Sequence, residues 1–200
     1  MLVVGLNGSP KKEGNTAYLL KKMLDDLEGK GAEVKLIYVQ EVVDEQEVPY
    51  CTVCSNPCDG RCYKDTALED CYELLQKADA VILGSPVYFG TVTAQLKCFW
   101  DKSRKLRGEK GLLNTVGAGV TSGGAVFGGQ ETTIRALHDM MIIQGMILVG
   151  DGFAADDAGH HGVCSQQPSS EDSFALKRAD ILCRRIQEVA GGTVALRNNR

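Results

Sequence analysis

Short apolar segments alternate with amphipathic segments along most of the chain, and this alternation limits the possible folds more than any other feature. The apolar segments have the length of strands and cover residues 2–7, 34–39, 80–83, 114–120 and 145–149. The amphipathic segments carry apolar side chains three and four residues apart, as helices do, and cover residues 16–29, 66–78, 93–105, 131–143 and 171–190. Strands that alternate with helices predict a parallel sheet with helices on both faces, so the expected class is α/β.

The domain organisation follows from length and from the segments that lack a clear period. A chain of 200 residues is long enough for one domain and gives no reason to expect a second core. We expect a single domain over residues 1–190, with a cysteine-rich insertion at about 45–65. Residues 40–65 and 150–170 are predicted to be irregular, and residues 191–200 to form a frayed C-terminal tail.

Charge and hydropathy narrow the choice of partners. The net charge of −4 is mild, which argues against nucleic acid or an acidic membrane surface as a partner. No apolar run approaches the roughly 18 residues that a membrane-spanning helix needs. The sequence enters its first strand without a basic segment or a cleavage site, so we expect no signal peptide and a cytoplasmic location. The basic stretch 102–110 is interpreted as a solvated face.

Three of the predicted strands end in loops rich in Gly, Ser, Thr and Asn. These loops cover residues 8–16, 84–90 and 121–130, and a parallel sheet places all three along one edge, where ligands of open α/β sheets bind. The first loop enters a helix, whose N-terminal N–H groups suit a phosphate. It contains neither Gly-Lys-Ser/Thr nor G-x-G-x-x-G, which argues against a nucleoside triphosphate loop and against a dinucleotide site.

The second and third loops have the properties of a site for a flat ring. Tyr88 and Phe89 offer flat apolar surfaces beside the stiff Pro86, and the glycines of the third loop allow a ligand to approach the backbone closely. Each loop also has a simpler interpretation. The first can be a capped turn, the aromatic residues of the second can belong to the core, and the third can be a flexible connection. The combination of all three loops at one edge favours a binding site.

The motifs in these loops resemble those of the NADPH-dependent FMN reductase family. The resemblance rests on Gly8-Ser9-Pro10 with Gly14-Asn15-Thr16, on Gly84-Ser85-Pro86-Val87-Tyr88-Phe89-Gly90, and on Gly129-Gln130-Glu131. Within this family the chain is most similar to the iron–sulfur flavoproteins, which carry a compact four-cysteine motif at the same place. The resemblance implies a flavodoxin-like three-layer sandwich whose five-stranded parallel sheet has the order 2-1-3-4-5.

The resemblance also implies which residues bind FMN. The first loop would hold the phosphate, and the second and third loops would border the two sides of the isoalloxazine ring. The implied FMN-binding residues are Ser9, Pro10, Lys11, Asn15, Thr16, Pro86, Val87, Tyr88, Phe89, Gly90, Thr121, Ser122, Gly123 and Gly124. No catalytic side chain is implied, because the redox chemistry belongs to the cofactor.

Four of the eight cysteines form a cluster that suggests a metal centre. Cys51, Cys54, Cys58 and Cys62 leave gaps of two, three and three residues, and four thiolates on such a loop can bind a [4Fe–4S] cluster. The second gap is one residue longer than is usual in the iron–sulfur flavoproteins. Zinc bound by the same thiolates, and free thiols or a local disulfide, are the alternatives. The separate cysteines are interpreted as small buried hydrophobic residues: Cys71, Cys98 and Cys183.

The expected function is that of an FMN-binding oxidoreductase that passes electrons from NAD(P)H through FMN to a small-molecule or protein acceptor, with or without a [4Fe–4S] cluster as a relay. The alternatives are an electron carrier that exchanges electrons with ferredoxin and does not use NAD(P)H, and a zinc-stabilised interaction domain. We expect a homodimer or homotetramer. Phe99 and Trp100 belong either to a dimer face or to the core, and His160 and His161 either approach the flavin of a neighbouring subunit or are solvated.

Overall fold

The computed structural model of the protein describes residues 1–198. The strands are β1 Leu2–Asn7, β2 Glu33–Tyr38, β3 Ala80–Pro86, β4 Val116–Gly123, β5 Ile147–Leu148 and β6 Val163–Gln166. The helices are α1 Asn15–Gly29, α2 Val39–Asp44, α3 Ala67–Lys77, α4 Ala94–Lys102, α5 Arg104–Gly108, α6 Gln130–Ile142, α7 Ser173–Gly192 and α8 Val194–Arg197.

The strands form one parallel sheet in the order β2-β1-β3-β4-β5, which confirms the predicted order. The sheet has one more strand than predicted, because β6 also pairs with β4. β5 lies beside Val116 and Gly117, whereas β6 lies beside residues 120–123 farther along the same strand. β5 and β6 are thus two halves of one edge strand, and the loop 149–162 separates them.

Helices cover both faces of the sheet and give the predicted three-layer sandwich. On one face, α1 and α7 pack against side chains such as Val3 and Ile82. On the other face, α3, α4 and α6 pack against side chains such as Val81 and Leu83. Alternate residues of the strands point to opposite faces, so each central strand supplies both cores.

Phe99 and Trp100 lie in the second of these cores. Phe99 is fully buried, and Trp100 is 6% exposed and donates a hydrogen bond from Nε1 to the carbonyl oxygen of Met140, 2.8 Å away. The ring of Phe99 contacts the ring of Tyr72 edge-on. The proposal that these two residues form a dimer face is therefore wrong, and the core interpretation is correct.

Several short elements differ from the prediction. Residues 40–65 were expected to be irregular but begin with α2, which buries Val39, Val42 and Val43. The single helix predicted over 93–105 is divided at Ser103, whose hydroxyl donates to the Trp100 carbonyl oxygen. β6 lies within the segment 150–170 that was expected to be a loop.

The C-terminal segment is helical where the sequence predicted a frayed end. α7 continues to Gly192, and α8 follows it. Arg197 of α8 is buried and donates from Nε to Oδ1 of Asp79, 3.0 Å away, so an ion pair holds the segment against the domain. The last two residues of the predicted tail, 199–200, lie outside the described residues. No helix in the described chain is long and apolar enough to cross a bilayer.

Candidate functional site

The loop between β1 and α1 is held in shape by the side chain of Asn7. Its Oδ1 accepts a hydrogen bond from the Ser9 N–H at 3.1 Å, and its Nδ2 donates to the carbonyl oxygen of Lys11 at 3.2 Å. The hydroxyl of Ser9 accepts in turn from the Lys11 N–H at 3.1 Å. Asn7 is fully buried and was not singled out in the sequence, although a polar residue at the end of an apolar strand is a signal for such a role.

The first turn of α1 offers unpaired donors to a ligand. The N-cap residue is Gly14, and no side chain in the described part of the chain caps the helix. The first turn also contains no acidic residue. The first N–H groups of a helix have no partner within the helix and carry a partial positive charge. A side-chain oxygen usually satisfies one of them, so its absence here favours an anionic ligand.

The three predicted loops meet at this helix end. The Gly8 N–H donates to the Gly84 carbonyl oxygen at 2.8 Å, and the Thr16 and Ser122 hydroxyls are 3.1 Å apart. The Val87 N–H donates to the Ser122 carbonyl oxygen at 2.9 Å. The loops 8–16, 84–90 and 121–124 are therefore hydrogen-bonded to one another, and we call them together the cradle.

Glycine at position 8 allows this close approach. A Cβ atom on Gly8 would lie 2.8 Å from the Gly84 carbonyl oxygen and 2.8 Å from Cβ of Leu96. Thr93 closes the same corner, because its Oγ1 donates to the Gly8 carbonyl oxygen at 2.5 Å and its N–H donates to Oγ of Ser85 at 3.1 Å. Thr93 is a contributor that the sequence analysis missed.

A fourth segment reaches the phosphate end of the cradle. The Ser169 N–H donates to Oδ1 of Asn15 at 2.8 Å. The Ser169 hydroxyl lies 2.6 Å from the hydroxyl of Ser165 in β6, and both serines are buried. With its oxygen engaged, Asn15 has its Nδ2 group available as a donor beside the first turn of α1. No local pattern in the sequence indicates a role for Ser169, which is 154 residues from Asn15.

The two lysines of the first loop have different surroundings. Lys12 forms an ion pair with Glu41, and this hydrogen-bonded carboxylate raises the pKa of Lys12 above its ordinary value. Lys11 is exposed and forms no ion pair with another described residue. The geometry therefore leaves Lys11 as the basic side chain of this loop that is available to an anion, and its contact with the FMN phosphate stays a prediction.

The ring side of the cradle ends in a tight hairpin. Tyr88 and Thr91 exchange backbone hydrogen bonds of 2.9 and 3.1 Å, and the two residues between them, Phe89 and Gly90, have φ angles of 50° and 78°. A positive φ is unfavourable for a residue such as phenylalanine. Phe89 is fully exposed, so packing within the described chain does not compensate for this conformation.

The opposite side of the cradle contains an unpaired polar atom. Oγ1 of Thr121 is buried and has no hydrogen-bond partner among the described residues. Beyond it, the loop of Gly129 approaches the hairpin, since a Cβ atom on Gly129 would lie 3.0 Å from Cα of Gly90. The uncapped helix, the orphaned hydroxyl and the glycine-lined approach together fit a phosphorylated flat cofactor such as FMN.

The predicted FMN-binding residues differ in exposure. Ser9, Thr16, Thr121, Ser122 and Gly123 are buried; Pro10, Asn15, Pro86, Val87 and Gly90 are half-buried; Lys11, Tyr88, Phe89 and Gly124 are exposed. A cavity of about 530 Å³ lies beside the loop 125–129, and Gln130, Cys164 and Asp172 contribute to its lining. None of the predicted residues lines this cavity, so the cradle is defined by its hydrogen bonds and not by this cavity.

The cysteine loop, residues 51–62, carries four free thiols. Cys51 and Cys58 are half-buried, and Cys54 and Cys62 are exposed. Burial raises the pKa of the Cys62 thiol, and Cys54 and Cys58 raise it further, whereas Lys102 acts to lower it. Within residues 1–198, no three His, Cys, Asp or Glu side chains are placed to hold a metal ion. The four thiols are, in type and number, the ligands that an iron–sulfur cluster requires. Because they are not placed to share a metal ion, cluster binding would require the loop to bring its sulfur atoms together.

The basic stretch 102–110 differs from the expected solvated face, because part of it contacts the cysteine loop. Nη1 of Arg104 donates to the Ser55 carbonyl oxygen at 3.2 Å. Lys105 lies against Gly60, since a Cβ atom there would be 2.9 Å from the Lys105 Cδ. Lys102 is 3% exposed. The segment between the second and third loops of the cradle therefore supports the cysteine loop.

The histidines lie elsewhere. His160 and His161 are exposed and border a cavity of about 350 Å³ together with His138, and none of the cradle residues borders it. The rings of His138 and His161 are 5.9 Å apart. Contact between these residues and the flavin of a neighbouring subunit stays a prediction.

The fold and the cradle define a class: flavodoxin-like α/β proteins with a site for a phosphorylated flat cofactor. The family model for the NADPH-dependent FMN reductase matches residues 1–161, which is most of the chain. The chain belongs to the NADPH-dependent FMN reductase family, as the motifs of the cradle predicted.

Individual relatives agree with this assignment. An iron–sulfur flavoprotein of Methanocaldococcus jannaschii is 38% identical over 193 residues, covering 94% of this chain and 97% of the relative. An NAD(P)H dehydrogenase (quinone) of Archaeoglobus fulgidus is 33% identical over 184 residues, covering 88% and 92%. The crystal structure of a flavodoxin, WrbA-like protein from Agrobacterium tumefaciens shares the fold, with a TM-score of 0.66, 21% identity, and coverage of 96% and 97%.

Proposed function

We propose that this protein binds FMN in the cradle and transfers electrons from NAD(P)H to an acceptor. Membership of the FMN reductase family makes the chain an FMN-binding oxidoreductase. What we propose beyond this is the identity of the electron donor and the electron acceptor. The observation that carries the proposal is the uncapped N-terminus of α1, hydrogen-bonded through Thr16 to the loop that would border the ring.

The residues of the chain bind and orient the cofactor. The first-turn N–H groups of α1, the Nδ2 group of Asn15 and the Lys11 ammonium would hold the phosphate. The segments 86–90 and 121–124 would border the ring on its two sides. Bound FMN supplies the redox chemistry, which takes electrons from a nicotinamide and passes them to an acceptor. No side chain of the chain has to act as an acid or base.

NAD(P)H is the proposed electron donor because of the name of a relative that is similar to this chain over most of its length. The Archaeoglobus relative is named an NAD(P)H dehydrogenase (quinone), and the alignment covers most of both proteins. This name also supports a small-molecule acceptor. A homodimer or homotetramer is the proposed assembly, and residues 1–190 are the proposed extent of the single domain, with the cysteine-rich insertion at about 45–65.

A second candidate function is supported by the cysteine loop. The Methanocaldococcus relative is named an iron–sulfur flavoprotein and is similar over nearly its whole length. We propose that Cys51, Cys54, Cys58 and Cys62 hold a [4Fe–4S] cluster, which would relay electrons singly. In this second function the protein would be an electron carrier that exchanges electrons with ferredoxin and does not react with NAD(P)H.

Anaerobic spectroscopy of the purified full-length protein distinguishes these candidates. We expect the visible absorption of bound FMN to bleach when NADH or NADPH is added, faster than that of free FMN at the same concentration. Iron and sulfide analysis of the same sample reports the cluster. Bound FMN that is unaffected by both nucleotides would favour the electron carrier, and a protein that does not take up FMN would exclude both functions.

A further inference from the structure

Lys102 is a buried lysine whose charge has no counterpart in the structure. It is the last residue of α4 and is 3% exposed. Its ammonium donates a hydrogen bond to Oε1 of Gln46 at 3.4 Å, which is a neutral partner. No carboxylate oxygen of residues 1–198 lies within 4.0 Å of its nitrogen. The exposed Lys97 of the same helix, in contrast, pairs with Asp101 at 2.7 Å.

A buried ammonium without a counter-charge is strongly unfavourable. Removal of the charge from water is compensated in folded proteins by a paired anion or a metal-centred group, and hydrogen bonds to neutral atoms compensate only in part. The described protein atoms supply no anionic partner for Lys102, and an anion held close to it would stabilise its charge.

The hydrogen bonds around Lys102 lead to both ends of the cysteine loop. Nε2 of Gln46 donates to Oγ1 of Thr66 at 3.2 Å, so the oxygen of the same amide is turned towards Lys102. The Thr66 hydroxyl donates to the Tyr63 carbonyl oxygen at 2.6 Å. Gln46 precedes the loop and Tyr63 follows it directly. Lys102 is thus fixed at the base of the loop, within electrostatic range of Cys62.

We propose that Lys102 is the counter-charge of an anionic metal–thiolate centre that Cys51, Cys54, Cys58 and Cys62 hold. This inference rests on the proposed [4Fe–4S] cluster. Four thiolates outweigh the positive charge of the cluster core, so the centre is an anion and becomes more negative when it accepts an electron. Lys102 does not ligate the metal. It is a positioning residue that stabilises the anion, and it stabilises the reduced form more than the oxidised form.

The substitution Lys102→Met keeps the aliphatic stem and removes the charge. In the loaded protein we expect the equilibrium constant for reduction of the cluster to fall at least tenfold, which is a shift of 59 mV to a more negative potential for one electron. In the metal-free protein we expect the substitution to be favourable. The variant unfolds at a higher temperature than the wild type, because an uncompensated buried charge has been removed. A lysine with a merely structural role would not produce this reversal.

The test compares full-length wild type, Lys102→Met, Lys102→Gln, Lys102→Arg and the matched control Lys97→Met, all purified anaerobically. Iron and sulfide are measured first, then the reduction potential by a titration followed by electron paramagnetic resonance, and finally thermal unfolding after removal of the metal with a chelator. Lys97→Met is expected to match the wild type in each measurement, and Lys102→Arg to restore the potential. Lys102→Gln gives the same test where the methionine variant does not fold.

The outcomes separate the two proposals. A wild type that holds neither iron nor sulfide overturns the cluster, and with it the role of Lys102. A wild type that holds the cluster, with a Lys102 variant of unchanged potential, overturns the role of Lys102 alone. A metal-free Lys102→Met protein that is less stable than metal-free wild type also overturns it, because the lysine would then be part of the packing and not a charge in need of a partner.

Discussion

The oxygen and the nitrogen of the Asn15 side-chain amide have different functions. Its Oδ1 accepts from the Ser169 N–H, which ties the loop before α7 to the start of α1. Its Nδ2 is then directed to the remaining side, where the first N–H groups of α1 are unpaired. Asn15 therefore both stabilises the cradle, through its oxygen, and offers a donor to an anion, through its nitrogen.

The substitution Asn15→Asp separates these functions. Aspartate keeps an oxygen acceptor for Ser169 but removes the donor and adds a negative charge beside the proposed phosphate. The loss of a hydrogen bond to a charged group corresponds to about 1.5–3 kcal/mol, so we expect FMN to bind roughly 10- to 100-fold more weakly, with little change in thermal stability without FMN. Fluorescence titration with FMN measures the affinity.

The control is Asn114→Asp, which adds the same charge just before β4, at the opposite edge of the sheet from the cradle. It should bind FMN as the wild type does. Equal affinities for the wild type and Asn15→Asp would show that the phosphate is bound elsewhere.

His138 provides a pH-dependent contribution to stability. Burial lowers the pKa of His138, and the neighbouring His161 lowers it further. The unfolded chain, with an ordinary histidine pKa near 6.5, then binds more protons than the folded protein. The contribution of His138 is therefore fully present above about pH 6.5 and is lost as the pH falls through the lower folded pKa.

We expect the free energy of unfolding of the wild type to decrease between pH 7 and pH 5.5, and that of His138→Phe to decrease less. Urea unfolding at a series of pH values measures this difference. The exposed Arg185→Met variant removes a charge that does not titrate in this range; it is the control and should follow the wild type. Parallel curves for His138→Phe and the wild type would contradict the assignment.

The predicted site residues that the sequence reveals are those that lie next to each other in a loop. Ser9, Asn15 and Thr16 are recognisable because they stand in one polar loop between a strand and a helix. Thr93 and Ser169 reach the cradle through hydrogen bonds to Gly8 and Asn15, which are 85 and 154 positions away in the sequence, and no local pattern marks such bonds. A buried charge such as Lys102 is invisible for the same reason, since it stands in a run of charged residues that is typical of a solvated face.

At the scale of elements, the contact between the first loop and β3 depends on Gly8. In Gly8→Ala, the new methyl group would overlap the Gly84 carbonyl oxygen and the Leu96 side chain. We expect a loss of about 1–3 kcal/mol in the free energy of unfolding, because backbone atoms have to move. Chemical denaturation measures the loss.

Gly29→Ala is the matched control, since a Cβ atom there would meet nothing within 4 Å. It lies at the end of α1, where alanine is at least as favourable as glycine. A Gly8→Ala protein as stable as this control would mean that the loops are not as closely packed as described.

Arg178 is the arginine that binds the buried carboxylate of the loop 149–162, and Arg184 pairs with Asp156 of the same loop at 2.9 Å. Arg178 of α7 bonds to the carboxylate of the fully buried Asp151, and its Nη1 and Nη2 atoms each donate to the carboxylate of Asp157 at 3.0 Å. These carboxylates raise the pKa of Arg178. In Arg178→Met the buried Asp151 loses its cation, for which we expect a cost of about 3–5 kcal/mol.

Chemical denaturation measures this cost, and hydrogen exchange should show faster opening within residues 150–162. The exposed Arg185→Met variant, which breaks a pair with Glu188 on the surface, should change the stability by less than about 0.5 kcal/mol. A similar small effect of Arg178→Met would show that other contacts hold the loop.

Elements with many periodic residues could be predicted, and short elements could not. The long helices α1 and α7 were recognisable from their apolar spacing. α2, α5 and β6 have six, five and four residues, which is too short for a period to be distinguished from chance. β6 forms because β4 offers a free edge at residues 120–123, and this information lies in the sheet and not in the segment itself.

At the scale of the molecule, FMN should stabilise the fold as a whole, because the cradle joins loops that follow three different strands of the sheet. A ligand that binds the folded state alone adds about 2.7 kcal/mol at a concentration 100 times its dissociation constant. We expect FMN to raise the melting temperature, and riboflavin, which has no phosphate, to raise it less at equal concentration. Scanning fluorimetry or calorimetry checks this, and equal shifts would contradict the role of the α1 N-terminus.

The order of the strands could be predicted only through the resemblance of loop motifs to a family. The alternation of strands and helices predicts parallel pairing, but it is compatible with more than one order. The residues that determine the order are in the cores, where many apolar side chains are interchangeable. The cradle is more specific because Gly8 and Thr16 have contacts that few other residues could make.

The division of the edge strand has a consequence for association. An intact outer strand presents a row of free backbone groups on which a strand of another molecule can form. Here that row is broken after the two residues of β5 and resumes for only four in β6, with a loop bound by an arginine between them. Neither half is long enough to serve as a template, so this border of the sheet is protected against open-ended growth into aggregates. Copies of the protein that assemble through this side would have to meet through loops and helices.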